Sequence, residues 1–306
     1  MWLLADVGGT HCRVGLAEGG GLCEDRTRSY RNDDFGGLDG ILARYLAETG
    51  AAVDGLCAGV AGPVRQGRAR LTNRGWRIEA DGLRAVAGAQ AVHLINDLQA
   101  QGYGLDDLAP GTVTPLFAGA GAAAGATRLV MGLGTGCNVA AVHDQAGQLF
   151  APPAEAGHSG LPHVPGLPGG IMQALGAGSA HLPVEALLSG PGLERLHGLL
   201  SGAEGAAIWE AMSRRAPEAT ATLEVFAAFL GHVAGNFALM HLPMGGVYFI
   251  GGVARAVAPH LGSAFRSAFE ARGPYAGMMA DIPVFLVTDD DAALRGCARL
   301  MRQMRR

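Results

Sequence analysis

A short apolar strand that carries an aspartate into a glycine turn constrains the fold more than any other segment. The stretch LLADVGGTHCRVGLAE (residues 3–18) places Asp6 just before the turn Gly8-Gly9-Thr10. Residues 2–5 are apolar and residues 13–17 alternate, as expected for a strand and its returning partner. We therefore predict a β-hairpin whose turn exposes several backbone N–H groups, an arrangement that can bind phosphate.

The same pattern returns near residue 128. The stretch RLVMGLGTGCNVAAVHD sets one apolar strand before Gly134-Thr135-Gly136 and another after it. Residues 6–10 align with residues 132–136, and we interpret this short match as an internal repeat of one supersecondary unit. Strands alternate with helical segments, which predicts an α/β fold. Because 306 residues exceed the usual size of one core, we expect two lobes.

The segments between and after the repeats are mainly helical. Residues 38–50 form an amphipathic pattern that ends at Gly50, and AVHLINDL is a strand that ends at Asn96-Asp97. PVEALLSGPGLERLHGLLSG predicts two helices separated by a Ser-Gly-Pro-Gly break. Polar His232, Asn236 and His241 interrupt the apolar residues 225–242, which predicts a buried helix rather than a membrane span.

Composition excludes several kinds of chemistry. The formal charge of −4 gives no support for a nucleic-acid partner. Lysine is absent, which excludes a P-loop lysine, a protein-kinase lysine and a Schiff-base lysine. Nucleotide phosphates would have to be held by backbone amides, a metal ion and arginine. The five cysteines form no CxxC pair, which favours free thiols without a zinc site. With no signal-peptide pattern, we expect a cytoplasmic protein that binds no membrane.

Eight motifs occur in the order found in one known family. They are DVGGTHCR, LTNRGW, LINDLQAQ, GLGTG, AEAGH, VEALLSGPGL, GGVYFIGGV and DIPVFLV. In these motifs the chain resembles the bacterial glucokinases of the hexokinase-like group over nearly its whole length. It lacks the cysteine-rich motif after AEAGH and the DNA-binding helices of the related repressor/ORF/kinase group.

The resemblance implies an ATP-dependent D-glucose kinase with Mg²⁺ as cofactor. The implied fold is the two-lobed, actin-like (ribonuclease H-like) ATPase fold with a duplicated βαβ core. We expect a small lobe of residues 1–107 and 290–306 and a large lobe of residues 108–289. The catalytic cleft is expected between the lobes, which close on the sugar. Members of the family are often homodimers, so a homodimer is a further expectation.

Asp97 is the candidate general base. A strand end in an open α/β sheet is where ligands bind, but from the residues alone a cap of the next helix is the more common role for such an aspartate. The resemblance favours catalysis and implies that Asn96 bonds sugar hydroxyls. It also implies four sugar-binding positions in other motifs. These are Asn73, Glu155, His158 and Glu185.

The two turns and a later glycine pair are the candidate ATP site. Asp6 would orient a hydrated Mg²⁺ through water, and Thr10 would hold the γ-phosphate end. The second turn would hold the other phosphates, and Gly251-Gly252 would let the adenosine approach the backbone. The complete candidate ATP set is Asp6, Gly8, Gly9, Thr10, Gly134, Thr135, Gly136, Gly251 and Gly252.

Several positions depart from the family pattern. His11 stands where asparagine is usual, Ala154 and Ala156 replace glycines, and Cys137-Asn138 replaces Leu-Gly. An alanine at a position that needs a positive φ would be strained. These departures leave the discrimination among hexoses open. Two alternatives stand beside a glucose kinase. One is a kinase for mannose or an N-acetylhexosamine, and the other is a catalytically silent sugar-binding regulator.

Overall fold

The computed structural model describes residues 1–71, 74–164, 170–176 and 180–305. The chain divides into two compact units. Unit 1 comprises Met1–Thr112, Asp144–Pro153 and Asp289–Arg306, and unit 2 comprises Val113–His143 and Ala154–Thr288. Residues 144–153, expected in the large lobe, are therefore grouped with unit 1, and the two lobes themselves stay a prediction.

Strands in the described residues are mostly short. They are β1 (Trp2–Val7), β2 (His11–Glu18), β3 (Gly21–Arg31), β4 (Gly55–Val60), β5 (Val64–Arg65), β6 (Arg68–Arg70), β7 (Arg77–Glu79), β8 (Ala91–Asn96), β9 (Val113–Phe117), β10 (Arg128–Leu133), β11 (Cys137–Gln145), β12 (Gln148–Phe150), β13 (Val247–Ile250) and β14 (Val284–Val287).

Helices occur in both units. They are α1 (Leu38–Thr49), α2 (Ala80–Ala87), α3 (Asp97–Tyr103), α4 (Ile171–Leu175), α5 (Gly190–Ser201), α6 (Ala207–Ser213), α7 (Pro217–His241), α8 (Gly252–Val257), α9 (Gly262–Glu270), α10 (Ala276–Ala280) and α11 (Ala292–Met304).

The main sheet of unit 1 has the strand order β3-β2-β1-β4-β8. β1 and β2 form the predicted antiparallel hairpin, with Val7 opposite Cys12. β1 is parallel to β4, which is parallel to β8, so that Val7, Val60 and Asn96 lie in register. The carboxyl ends of these three parallel strands therefore reach the same edge of the sheet.

The sheet of unit 2 repeats this arrangement, with the order β11-β10-β13-β14-β9 in that unit. β10 and β11 form an antiparallel hairpin, and Leu133 is opposite Cys137. β13 and β14 continue the sheet as parallel strands, with Gly132 in register with Ile250. In both units, then, a hairpin is followed by two parallel strands, which confirms the predicted internal repeat.

The sheet of unit 1 is covered on both faces. The apolar stripe of α1 packs against the alternating side chains of β1, with Ile41, Leu42 and Tyr45 inaccessible to solvent. α11 packs closely against α3, because a Cβ on Gly296 would lie 1.6 Å from the carbonyl oxygen of Ala100. This burial of apolar surface is the main stabilisation of the unit.

Helix α7 forms the centre of unit 2. It is long and apolar enough to cross a membrane, but its side chains, such as Phe226 and Phe229, are buried in the protein. Glycine lets it approach α9, since a Cβ on Gly231 would lie 2.4 Å from the carbonyl oxygen of Phe265. The prediction of a buried core helix is therefore confirmed.

The predicted helix break at residues 189–192 is wrong. Val184–Ala186 form a single 3-10 turn, and Ser189 is the N-cap of α5. Its Oγ accepts a hydrogen bond from the N–H of Gly192 at 3.1 Å. Pro191 lies in the first helical turn, where its missing N–H costs no hydrogen bond. The Gly-Pro-Gly segment thus starts a helix instead of interrupting one.

Candidate active site

Asp6 lies on β1 of unit 1 in a largely buried position. In the sheet it is opposite Arg13 on β2 and in register with Gly59 on β4. Its side chain is 16% exposed, and its Oδ2 lies 3.8 Å from Nη1 of Arg13. The sequence-predicted carboxylate is therefore placed one residue before the end of a central strand.

Burial dominates the electrostatics of Asp6. Loss of solvation raises its pKa to about 6, Arg13 opposes that rise, and the negative charge of Asp291 adds to it. The pKa of Asp291 is also raised, first by burial and then by Asp289. The three carboxylates carry more negative charge than Arg13 and Arg295 together neutralise, so this corner of unit 1 favours a cation.

The Gly8-Gly9-Thr10 turn is fixed through its carbonyl groups. The Gly8 carbonyl accepts from Nδ2 of Asn32 at 2.8 Å, and the Gly9 carbonyl accepts from Nε of Arg74 at 2.7 Å. The Thr10 carbonyl accepts from the N–H of Asn32 at 2.9 Å. Sequence reasoning missed Asn32 and Arg74, because they are 24 and 65 positions away from their partners.

Asn96 and Asp97 occupy the junction of β8 and α3. Asn96 is the N-cap of α3, and its Oδ1 accepts from the N–H of Leu98 at 2.9 Å. Its Nδ2 donates to the carbonyl of Gly62 at 3.2 Å, so both ends of this side chain are bonded within the protein. The sugar contact predicted for Asn96 stays a prediction, whereas its helix-capping role is clear.

Asp97 is the first residue of α3 and is only partly buried. Its Oδ1 accepts from the N–H of Leu98 at 3.0 Å. Gln99 completes a capping box with the backbone N–H of Asn96 at 3.0 Å. Gly59 permits the close packing beneath, because a Cβ there would lie 2.9 Å from that of Ala100. These contacts hold Asp97 at the edge where β1, β4 and β8 end.

Asn73, the fourth predicted sugar contact, lies outside the described residues. Its neighbour Arg74 is described and ion-pairs with Asp33. The sugar contact of Asn73 therefore stays a prediction.

The second turn lies in unit 2 between β10 and β11. The N–H of Gly134 donates to the carbonyl of Gly136 at 2.9 Å, and the carbonyl of Gly134 accepts from the N–H of Gly190 at 2.8 Å. Thr135 is exposed at its tip. Gly190 is the first residue of α5, so the start of that helix supports the turn. The role of Gly190 was not predicted.

Three predicted sugar-binding side chains come together beside this turn in unit 2. Nδ1 of His158 lies 3.5 Å from Oε1 of Glu185. A Cβ on Gly136 would lie 3.0 Å from Oε2 of Glu185. The pKa of Glu155 is raised, mainly by burial, with His158 lowering it and Glu185 raising it. The cluster offers two carboxylates and an imidazole, which suit the hydroxyl groups of a polyol.

Asn138 fixes the loop that carries Glu155. Its Nδ2 donates to the carbonyl of Ala154 at 2.9 Å, and its Oδ1 accepts from the N–H of Ala156 at 3.0 Å. Ala154 and Ala156 are not among the residues with positive φ, so the strain considered for them does not arise. Asn138, one of the departures from the family pattern, therefore holds this loop through two hydrogen bonds.

Gly251 is required for packing at the end of β13. Its φ is 107°, and a Cβ there would lie 2.4 Å from the carbonyl oxygen of Leu133. Leu133 immediately precedes the Gly134 turn, so Gly251 lies beside the second turn. A Cβ on Gly252 would meet no atom within 4 Å. Close approach of an adenosine to this pair stays a prediction.

Comparison with known proteins identifies one family over almost the whole chain. The sequence model of the glucokinase family matches residues 3–304. A glucokinase of Caulobacter vibrioides is 33% identical over 318 residues, covering 97% of this chain and 94% of that protein.

Solved structures share the fold. The crystal structure of a glucokinase from an Antarctic psychrotroph superposes with a TM-score of 0.84 at 27% identity, covering 98% of each chain. A ROK family glucokinase from Streptomyces griseus, solved with glucose and AMPPNP, superposes with a TM-score of 0.67 at 23% identity, covering 98% of this chain and 99% of that one.

The likeness to these structures confirms the predicted fold class, the actin-like sugar-kinase fold. The family match extends over almost the whole chain and so includes both glycine turns, Asp97 and the Glu155 cluster. The chain belongs to the glucokinase family.

Proposed function

We propose that this glucokinase transfers the γ-phosphoryl group of ATP to a hydroxyl of D-glucose with Asp97 as the general base. Family membership fixes the reaction as ATP-dependent phosphorylation of glucose. The observation that carries the role of Asp97 is its position as first residue of α3, held by the capping box of Asn96 and Gln99. A base must be positioned before its basicity matters.

Phosphoryl transfer needs no covalent bond between the protein and the substrate. It requires the acceptor hydroxyl in line with the phosphorus, neutralised charge and a group that takes the proton. Asp97 lies at the carboxyl edge of β8, where open α/β sheets bind ligands. Its carboxylate would accept the proton as the hydroxyl oxygen attacks. Asn96 contributes by fixing the helix start that carries this carboxylate.

The two glycine turns are proposed to hold the triphosphate with backbone N–H groups. The carbonyl groups that precede Gly9, Thr10 and Thr135 all accept hydrogen bonds within the protein. Because a peptide unit is planar and trans, the N–H groups of these three residues point away from the donors that hold the carbonyls. Neutral amide donors in a turn bind anions without a lysine side chain. Support for ATP as donor comes from the family and from the AMPPNP bound to the Streptomyces griseus protein.

Asp6 is proposed to bind Mg²⁺ through water. Its environment fits such an ion, because the carboxylate is largely buried and Asp291 adds negative charge. Magnesium prefers oxygen ligands and keeps several waters, so one or two carboxylates suffice. When bound, the ion would neutralise phosphate charge, and Asp6 would accept hydrogen bonds from its water shell.

Sugar recognition is proposed for the cluster of unit 2. Glu155 and Glu185 would accept hydrogen bonds from sugar hydroxyls, and His158 would donate or accept one. Hydroxyl groups left unpaired in a dry site are penalised, so this fixed set favours one polyol over others. Asn73 and Asn96 complete the proposed set.

A homodimer and a cytoplasmic location are proposed as well. Support for an association surface comes from Met240 and Leu242 at the end of α7, which are 70% and 48% exposed. All five cysteines are free thiols, as suits a reducing compartment. Sedimentation at several protein concentrations tests the dimer, because a concentration-independent monomer mass would exclude it.

A coupled assay over a panel of hexoses with Mg-ATP tests the proposed reaction. We expect glucose to have the highest kcat/KM and to give glucose 6-phosphate. A higher kcat/KM for mannose or an N-acetylhexosamine would replace the assigned substrate. Sugar binding with no turnover of any hexose would instead identify a silent regulator.

A further inference from the structure

Arg74 contacts the first glycine turn from a separate loop of unit 1. Its Nε donates to the Gly9 carbonyl at 2.7 Å, and its Nη2 bonds Oδ1 of Asp33 at 2.5 Å. The guanidinium also lies 5.8 Å from the ring centroid of Trp76. Three different partners thus hold one arginine in a single orientation, although its side chain is 23% exposed.

The loop that carries Arg74 is itself anchored. The N–H of Leu71 donates to the carbonyl of Trp76 at 3.2 Å, and the N–H of Arg74 donates to the carbonyl of Leu71 at 3.3 Å. Leu71 is 1% exposed and belongs to the core of unit 1. Hydrogen bonds therefore connect the turn, through Arg74, to a buried residue of the core.

Asn32 acts on the same turn from another direction. It is inaccessible to solvent, its Nδ2 donates to the Gly8 carbonyl, and its N–H donates to the Thr10 carbonyl. We call Asn32 and Arg74 the turn anchors. Together they bond the carbonyl groups of all three turn residues, Gly8, Gly9 and Thr10.

The anchors determine where the amide protons point. In a planar trans peptide the C=O and the following N–H point in opposite directions. With the Gly8 and Gly9 carbonyls turned toward the anchors, the N–H groups of Gly9 and Thr10 point away from them. Neither N–H donates to another residue in the described parts of the chain. Two such donors in neighbouring residues of one turn suit an anion.

We infer that Arg74, with Asn32, is a positioning residue that pre-orients the Gly9 and Thr10 amides for the phosphates of ATP. The inference rests on the proposed function of the turn. Arg74 acts through the backbone rather than as the phosphate ligand, since its Nε and Nη2 are already bonded to Gly9 and Asp33. Its effect should therefore be confined to the polyphosphate and absent from the nucleoside.

The Arg74→Met variant tests this role. We expect the Kd for Mg-AMPPNP to rise about 10-fold or more, because a charge-assisted hydrogen bond to the turn is lost. The inhibition constant of adenosine should stay within about twofold of that of the native chain. Arg74→Lys should recover part of the loss, since an ammonium group reaches one acceptor but lacks the fork that bonds two.

Two further variants complete the design. Asp33→Asn weakens the outer partner of Arg74 and should raise the Kd for Mg-AMPPNP by a smaller factor, again without changing adenosine. Arg84→Met removes a comparable exposed arginine, paired with Asp81 in α2, and should change neither constant. Thermal melting of each variant verifies that it is folded.

The outcomes separate this inference from the proposed function. Unchanged AMPPNP binding in Arg74→Met, or an equal loss for AMPPNP and adenosine, overturns the positioning role. If the native chain binds AMPPNP more tightly than Arg74→Met but phosphorylates no hexose, the positioning role stands and the proposed reaction fails. If the native chain does not bind AMPPNP, both fail.

Discussion

The Oδ1 atom of Asn96 accepts a hydrogen bond from the N–H of Leu98 at 2.9 Å, so Asn96 caps the helix that begins with Asp97. The residue proposed as the base is thus positioned by its own neighbour in the sequence. The proton transfer proposed for Asp97 and the helix cap made by Asn96 can therefore be tested by different measurements, turnover and stability.

Replacing Asp97 with asparagine should lower kcat at least about 100-fold, the usual scale for loss of a general base. The fold and the affinity for glucose should be kept, because the amide oxygen can still accept from the N–H of Leu98. A coupled assay gives kcat, and calorimetry gives glucose affinity. Asp81→Asn changes an exposed acid in α2 and should behave as the native chain. Near-native turnover in Asp97→Asn would refute the assigned role.

Replacing Asn96 with alanine should lower the free energy of unfolding by about 1–2 kcal/mol, since a helix cap and the bond to Gly62 are both lost. Asn96→Ser keeps a capping oxygen and should lose less. Urea denaturation measures both variants. Equal destabilisation by alanine and serine would show that the cap contributes nothing.

Asp6→Asn should raise the free energy of unfolding and lower the kinase activity. The folded-state pKa of Asp6 is raised from 3.8 to about 6, so folding binds a proton between these values. The native chain consequently loses stability as the pH rises from about 4 to 6 and stays less stable above that range. We expect Asn to raise the free energy of unfolding by about 2–3 kcal/mol at pH 8, with a smaller gain near pH 4.5.

Urea denaturation without added Mg²⁺, at both pH values, measures this gain, and the kinase assay measures the accompanying loss of activity. A variant no more stable than the native chain at pH 8 would contradict the unfavourable burial of the Asp6 charge. Full activity in the same variant would contradict its proposed role toward Mg²⁺.

Gly251 and Gly252 should respond differently to alanine. Gly251→Ala adds a Cβ 2.4 Å from the Leu133 carbonyl oxygen at a φ of 107°, and should cost about 2 kcal/mol or more of stability. Gly252→Ala meets open space and should change stability by less than about 0.5 kcal/mol. Thermal and urea unfolding compare them. If Gly252→Ala also leaves the KM for ATP unchanged, the proposed adenosine contact is wrong.

Glu155→Gln should raise the KM for glucose about 10-fold without altering the KM for ATP, because a charged acceptor of sugar hydroxyls is lost. Burial raises the pKa of Glu155, so glucose affinity of the native chain should improve as the pH rises and this carboxyl ionises. The variant should lack that part of the pH profile. An identical profile in both proteins would exclude Glu155 from sugar binding.

Local sequence patterns predicted the main structural elements of the fold. Apolar runs on either side of a glycine turn predicted both hairpins, and the pattern that ends at Gly50 predicted α1, since periodicity and caps act within a few residues. The predicted helix break at Ser189 is wrong because Gly and Pro, which interrupt a helix in its interior, are both tolerated at a helix start. A serine directly before them was the missed signal.

The anchoring of the candidate site could not be predicted in the same way. Arg74 meets the Gly9 carbonyl across 65 positions of sequence, and no local pattern marks that pair. The capping box of Asn96 and Gln99, by contrast, is consistent with the three-residue spacing of the pair in the sequence. Candidate site residues could therefore be named from the sequence, whereas the long-range contacts that fix backbone direction required the folded chain.

Helix α11 follows unit 2 in the sequence yet packs in unit 1, where Gly296 meets Ala100 and Cys297 is fully buried. A ribosome delivers the sheet of unit 1 first and this covering helix after all of unit 2. During synthesis the face of that sheet that α11 covers therefore stays exposed while more than a hundred intervening residues are added. Exposed apolar surface promotes aggregation, so nascent unit 1 is a candidate for binding by a chaperone.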